Sequence, residues 1–153
     1  MMPDYVNVKH VVAKRYHICC ECHGAIKPLY VYENQSGKWD GEFSRYKTCL
    51  PCEQARDWLL QESDWEGFGE DGAFQFEMLR DHLREQAREG DRKFWFRALR
   101  HVVSMDQRKV ARQKLVEQLM FEHAITVKPH HLKSAETFLN AYAPKPLPET
   151  APL

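Results

Sequence analysis

Two C-x-x-C pairs, Cys19-Cys20-Glu21-Cys22 and Cys49-Leu50-Pro51-Cys52, stand twenty-six residues apart. Each pair places two thiolates on one tight knuckle, and two knuckles supply the four sulfurs that tetrahedral Zn²⁺ takes in a closed structural site. Cys19, Cys22, Cys49 and Cys52 are therefore expected to hold one structural zinc with no coordination position left for water. A module of this size has too little apolar interior to fold alone, so metal binding and folding are expected to be one event. Cys20 is left over as a fifth thiol, and His17 and His23 flank the first knuckle as substitute ligands. An odd cysteine count suits a reducing compartment better than a disulfide framework.

The segment between the knuckles has hairpin composition. Leu29-Tyr30-Val31-Tyr32 is β-prone, Asn34-Gln35-Ser36-Gly37 reads as the turn, and Trp39 to Tyr46 returns as the second strand. Residues 4–18 form a strand-like lead-in. After Cys52 the composition becomes helical, with Ala55, Trp58 and Leu59 on one face. The expected fold class is α+β: a treble-clef-like zinc module, β-hairpin plus helix, followed by a mainly α-helical C-terminal part. Its divisions are a zinc-binding module over 1–62, an acidic, glycine-rich connecting loop over 63–72, a helical part over 73–142 and a proline-rich tail over 143–153.

Within the helical part, Phe76, Leu79 and Leu83 share a stripe that ends at Gly90. Phe94, Ala98, His101, Val102 and Met105 mark a second helix from about Asp91. Ser104-x-x-Gln107 reads either as a capping box opening a third helix or as the interior of one continuous helix. Lys128-Pro129 stops it, and Leu132 to Tyr142 makes a last short helix. Trp65 and Phe68, two aromatics in the acidic loop, are expected to tuck back onto the fold.

Cys19-x-x-Cys22, Gly37-Lys38-Trp39-Asp40-Gly41-Glu42-Phe43, Tyr46-Lys47-Thr48-Cys49-x-x-Cys52 and Ala55-Arg56-Asp57-Trp58-Leu59 resemble a group of small phage- and prophage-encoded zinc-knuckle proteins of unknown function. The likeness extends more loosely to Leu83. It implies a phage setting, in which small non-enzymatic effectors of host machinery are common, and it supplies no catalytic residues.

Charge is balanced overall, with 22 basic and 22 acidic side chains. Residues 53–91 nevertheless hold twelve acids against four bases (net −8), and residues 92–114 hold eight bases against one acid (net +7). The two segments either pair with each other or leave the basic one for an anionic partner. A metal-dependent nuclease built on a treble clef needs a histidine base on the hairpin, and Gly24 to Arg80 contains no histidine. No P-loop, dinucleotide loop or nucleophile–base pair stands elsewhere, so the expectation is a protein that is not an enzyme.

Phe94-Trp95-Phe96 spreads three aromatics over roughly 200° of a helix, more than one core stripe uses. At least one should face outward or meet something beyond its own helix. Phe94, Trp95, Phe96, Arg97, Arg100, Arg108, Lys109 and Arg112 are the candidate partner-binding residues. The partner expected is a host protein or protein complex, with inhibition of a defence or nucleic-acid-handling complex as the specific role. The alternative is a DNA- or RNA-binding regulator using the basic helix 92–114, and a homodimer seam is a third use of the same face. No apolar run approaches the roughly 18 residues of a membrane span. Met1-Met2-Pro3-Asp4 opens no signal-like pattern. The expected location is cytoplasmic, in the host cytoplasm if phage-encoded.

Overall fold

The computed structural model describes residues 5–66 and 74–145. It is an α+β fold. Strand β1 (Tyr5–Val12) leads to the short ribbon β2 (His17–Ile18) and β3 (Ala25–Ile26), and then to the long strands β4 (Val31–Trp39) and β5 (Glu42–Cys49). Helices α1 (Leu50–Gln61), α2 (Leu79–Glu89), α3 (Arg92–Glu122) and α4 (Ala135–Tyr142) follow, with a 3₁₀ turn at Pro129–Lys133 before the last. The main sheet runs in the order β1-β4-β5, antiparallel throughout.

The hairpin exists, but its turn lies elsewhere than Asn34–Gly37, which sit inside the β4 ladder. The chain reverses at Asp40-Gly41, between the paired residues Trp39 and Glu42, and both turn residues have positive φ (51° and 81°). That is the two-residue loop whose twist matches a β-ribbon, and Asp-Gly is its favoured sequence. Gly37 serves packing instead: a Cβ there would lie 2.5 Å from the Tyr5 carbonyl oxygen and 2.7 Å from the Trp39 ring.

Pro51 in the first turn of α1 costs no hydrogen bond, because the first N–H groups of a helix have no partner within it. Ala55, Trp58 and Leu59 are buried on one face of α1 as their spacing predicts. Phe76 lies ahead of α2 rather than within it, and its ring stacks on Tyr46 at 4.2 Å. Leu79 and Leu83 are buried as expected, and α2 ends before Gly90. Ser104 and Gln107 fall inside α3, which runs unbroken for 31 residues from its Asp91 N-cap, whose side chain accepts the Lys93 N–H. The last helix starts at Ala135 rather than Leu132 because Ser134 caps it, accepting the Thr137 N–H at 3.1 Å.

One apolar cluster joins the cysteine-bearing segments to the first three helices. Cys19, Cys22 and Cys52 share it with Trp58 and Leu59 of α1, Leu79 and Leu83 of α2, and Ala98, Val102 and Met105 of α3. A second cluster seats Phe138 and Leu139 of α4 against Tyr16 and Leu119. The Asn140 amide clamps the same joint, accepting the Tyr16 N–H at 2.7 Å and donating to the Tyr16 carbonyl at 2.9 Å. Trp65 is buried with its ring 4.6 Å from that of His82. Phe68, most of the expected connecting loop and the tail from Pro146 lie outside the described residues. Among the described residues no helix is long and apolar enough to cross a membrane.

Candidate metal centre

The turn between β2 and β3 carries Cys19 and Cys22, while Cys49 ends β5 and Cys52 sits in the first turn of α1. All four Sγ atoms lie within 4.8 Å of one another. The Cys22–Cys49 separation is 3.8 Å, and a tetrahedron with Zn–S bonds of about 2.3 Å has S···S edges of about 3.8 Å. Cys19, Cys22 and Cys52 are buried. Backbone N–H groups of Gly24 and Cys49 point at the Cys22 and Cys19 sulfurs at 3.3 and 3.4 Å. Cys49 is the N-cap of α1 and Cys52 lies in its first turn, so the helix macrodipole favours negative charge there.

Four sulfurs this close cannot all ionise without a cation among them. The Cys49 and Cys52 thiols are pushed well above the usual range, chiefly by the neighbouring Cys19 and Cys22 sulfurs. The sulfur of Cys22, hydrogen-bonded to the other three and to Arg108, is held well below it. The donor set therefore fits one soft or borderline divalent ion such as zinc, in a site with no protein carboxylate or imidazole among the four ligands.

Helix α3 completes the surroundings of the sulfurs. Arg108 donates from Nε to Cys22 Sγ at 3.4 Å and from Nη2 to Cys52 Sγ at 3.2 Å. Burial works against its charge, yet the bonds to Cys22 and Cys52 outweigh that and hold its pKa above the ordinary arginine value. Four thiolates around a divalent ion carry a net −2, and one guanidinium halves it. One turn on, Arg112 Nε donates to the His23 carbonyl at 3.0 Å, bracing the knuckle itself. The contact is close: a Cβ on Gly24 would lie 2.9 Å from the Arg108 Cβ and 3.3 Å from its carbonyl oxygen.

Glu21, inside the first C-x-x-C, performs the matching task for α2. It is buried, and its carboxylate accepts the N–H of Glu77 at 3.0 Å and of Leu79 at 3.0 Å, satisfying donors at the start of that helix. Spacing within the cysteine motif marks neither Glu21 nor Arg108 for this role. For Arg108 a signal existed: Ala98, Val102 and Met105 are the buried stripe of α3, and Arg108 and Arg112 continue it at i+3 and i+7 from Met105. Cations on an inward-facing stripe call for an anionic partner inside.

The leftover thiol is not the fifth ligand. Cys20 Sγ lies 3.5 Å from the Thr48 hydroxyl, and burial pushes its pKa up to about 12, so it stays protonated. His17 Nδ1 lies 2.9 Å from Lys47 Nζ and 3.3 Å from a Glu136 oxygen, while His23 is exposed. Among the described residues one other group has metal-like proximity, His10, Glu33 and Glu53. There Arg56 already holds both Glu33 oxygens at 2.8 and 2.7 Å, and His10 pairs with Glu53 at 2.7 Å, which makes it an ion-pair network.

The eight candidate partner-binding residues divide. Phe94 turns inward, edge-on to Trp58 at 6.2 Å, and Arg108 and Arg112 face the cysteine sulfurs and the first knuckle's backbone. Arg97 pairs with Glu62 at 3.1 Å and lies over the Trp58 ring. Trp95 (43% exposed) and Phe96 (60%) point outward, as does Arg100, while Lys109, also exposed, borders Glu21, Cys22 and Arg80 beside the first knuckle. Trp95, Phe96, Leu99, Arg100 and Val103 line a shallow groove of about 430 Å³ along the outer side of α3.

Protein-family profiles, curated protein sequences and solved structures return no match to this chain.

Proposed function

We propose that the four thiolates hold one Zn²⁺ as a structural ion, that the hairpin and α1 form a treble-clef-like module around it, and that the protein is a non-enzymatic binding protein. On this reading a host protein or protein complex docks on the outer face of α3. The observation that carries it is the pairing of an all-sulfur centre with an outward aromatic and aliphatic stripe: Trp95, Phe96, Leu99 and Val103 are exposed together. Aromatic anchors of this kind dominate protein interfaces. The phage setting, and interference with a defence or nucleic-acid-handling complex, rest on the resemblance of the knuckle and hairpin motifs. In such a setting the protein acts in the host cytoplasm.

The test is affinity capture from nuclease-treated bacterial lysate with the zinc-loaded chain. A captured protein that is lost on joint Trp95→Ala and Phe96→Ala, and kept on charge reversal at Arg100 and Lys109, supports the reading. Self-association lost on the same pair of alanines would make the face a homodimer seam instead. Duplex DNA bound with sub-micromolar affinity, falling steeply with salt and abolished by the reversals, would favour the basic helix 92–114 as a nucleic-acid reader. Arg108 and Arg112 count against that alternative, since both are directed at the metal knuckles.

A further inference from the structure

The three long strands segregate their charges completely. Every lysine and arginine in them, Lys9, Lys38, Arg45 and Lys47, lies on one face, and both acids, Glu33 and Glu42, lie on the other. The register makes this explicit. Tyr5, Lys38 and Phe43 form one cross-strand row, Asn7, Ser36 and Arg45 the next, and Lys9, Asn34 and Lys47 the third. Rows on one face are about 7 Å apart and neighbouring strands about 4.8 Å. The acidic face is covered in part: Arg56 and Glu53 of α1 bond to Glu33 and His10, and Phe76 stacks on Tyr46, while Val6, Val8 and Glu42 stay exposed.

The cationic face lies open over its first two rows, with Tyr5 58% and Phe43 64% exposed and Lys38 and Arg45 exposed between them. Among the described residues Lys9, Lys38 and Arg45 are in no ion pair, whereas Arg56, Arg80 and Arg97 all are, and Lys47 is half-buried with its ammonium 2.9 Å from His17 Nδ1. Arg15 adds positive charge near Lys47, and the acid felt at that end is Glu136 of α4. The protein as a whole is neutral, so this face is a local field, not the side of a generally basic molecule.

We propose that the open face of the β1-β4-β5 sheet binds single-stranded nucleic acid, with the exposed Lys9, Lys38 and Arg45 on phosphates and Tyr5 and Phe43 stacking on bases. Cations of one sign call for a polyanion. The exposed rings flanking Lys38 in one row favour a strand whose bases are free to stack over a duplex, whose bases are not. The proposal is independent of the protein-docking face on α3, which lies on another element.

The test is fluorescence anisotropy of labelled twelve-nucleotide oligo-dT and oligo-U with the zinc-loaded full chain, at several salt concentrations. The expected Kd is of order 1–10 µM at about 100 mM salt. Joint Lys38→Glu and Arg45→Glu should weaken binding at least about tenfold and flatten the log–log salt slope by about 1.4, at about 0.7 per phosphate contact. Phe43→Ala should weaken it about 5-fold or more with the salt slope unchanged. Joint Arg92→Glu and Lys114→Glu on α3 should leave affinity as it was. Circular dichroism and zinc content check that each variant is folded, and the exposed Phe43→Ala keeps the test decisive if the charge reversal is not. Comparable affinity for DNA and RNA fits backbone-and-stacking recognition, and a preference for one identifies the natural strand. Absence of binding at tens of micromolar protein, affinity unmoved by both sheet variants, equal affinity for duplex, or equal competition by polyglutamate would overturn the proposal.

Discussion

Helix α3 has two sides that do opposite things with the same kinds of residue. On the inner side Ala98, Val102 and Met105 join the apolar cluster around the cysteines, and Arg108 and Arg112 deliver their donors to the sulfurs and to the knuckle backbone. On the outer side Trp95, Phe96, Leu99, Val103 and Val110 face solvent. Phe94 and Phe96, two residues apart, end up respectively against Trp58 and in water. The difference teaches that neither a cation nor an aromatic ring on this helix has a role by type. The role is assigned by whether the side chain faces the apolar cluster around the cysteines or solvent.

The comparison predicts a steep ordering of effects. Removing the metal, by chelation or by Cys49→Ser, should be the most severe. Structural zinc contributes on the order of 10–16 kcal/mol of coupled binding and folding energy, so far-UV circular dichroism should show the N-terminal half melting and α3 losing the surface its inner side packs on. Next comes Arg108→Gln, which strips two charge-assisted contacts from the thiolates. A loss of about 2–3 kcal/mol in denaturant unfolding and a 10- to 100-fold weaker zinc affinity in competition with a chromophoric chelator are expected. If zinc affinity did not move, the guanidinium would be a packing element only.

The inner side should also be the pH-sensitive one. His101 Nε2 is buried with no hydrogen-bond partner among the described residues, and its ring lies 5.3 Å from that of Trp58. Burial first, then Arg97, Arg108 and Arg100, hold its pKa below the ordinary 6.5. The unfolded chain therefore takes up a proton on His101 as pH drops through about 6.5, while the folded chain does not. Stability should be full above that value and decline below it until the folded-state pKa is reached. Thermal midpoints measured from pH 8 to pH 5 should fall less in His101→Gln than in the parent. The smallest effect belongs to the outer side: Trp95→Ala and Phe96→Ala should each shift stability by about 0.5 kcal/mol or less, with zinc content unchanged, even where they abolish capture of a partner.

Features written in local spacing were legible in the sequence. The four cysteines needed only their two intervals, and the buried face of α1 needed only Ala55, Trp58 and Leu59 at helical spacing. The hairpin was legible but its turn was not, because Asn34-Gln35-Ser36-Gly37 has turn composition while the ladder of β1 on one side and β5 on the other carries it straight through. Asp40-Gly41 was the stronger signal, being the pair that tolerates two consecutive positive φ values. What remained hidden depends on contacts between distant positions. Arg108 meets Cys22 across 86 residues and Glu21 caps α2 across 58. The cationic face of the sheet is scattered over three strands, so it emerges only once the register aligns Lys9, Asn34 and Lys47.

X-ray absorption at the zinc edge on purified, chelator-washed protein tests the central claim most directly. One zinc per chain, surrounded by four sulfurs at about 2.3 Å with no nitrogen or oxygen in the shell, is the predicted result. A folded chain without metal, or an ion with a light-atom ligand such as water in place of one sulfur, would contradict it.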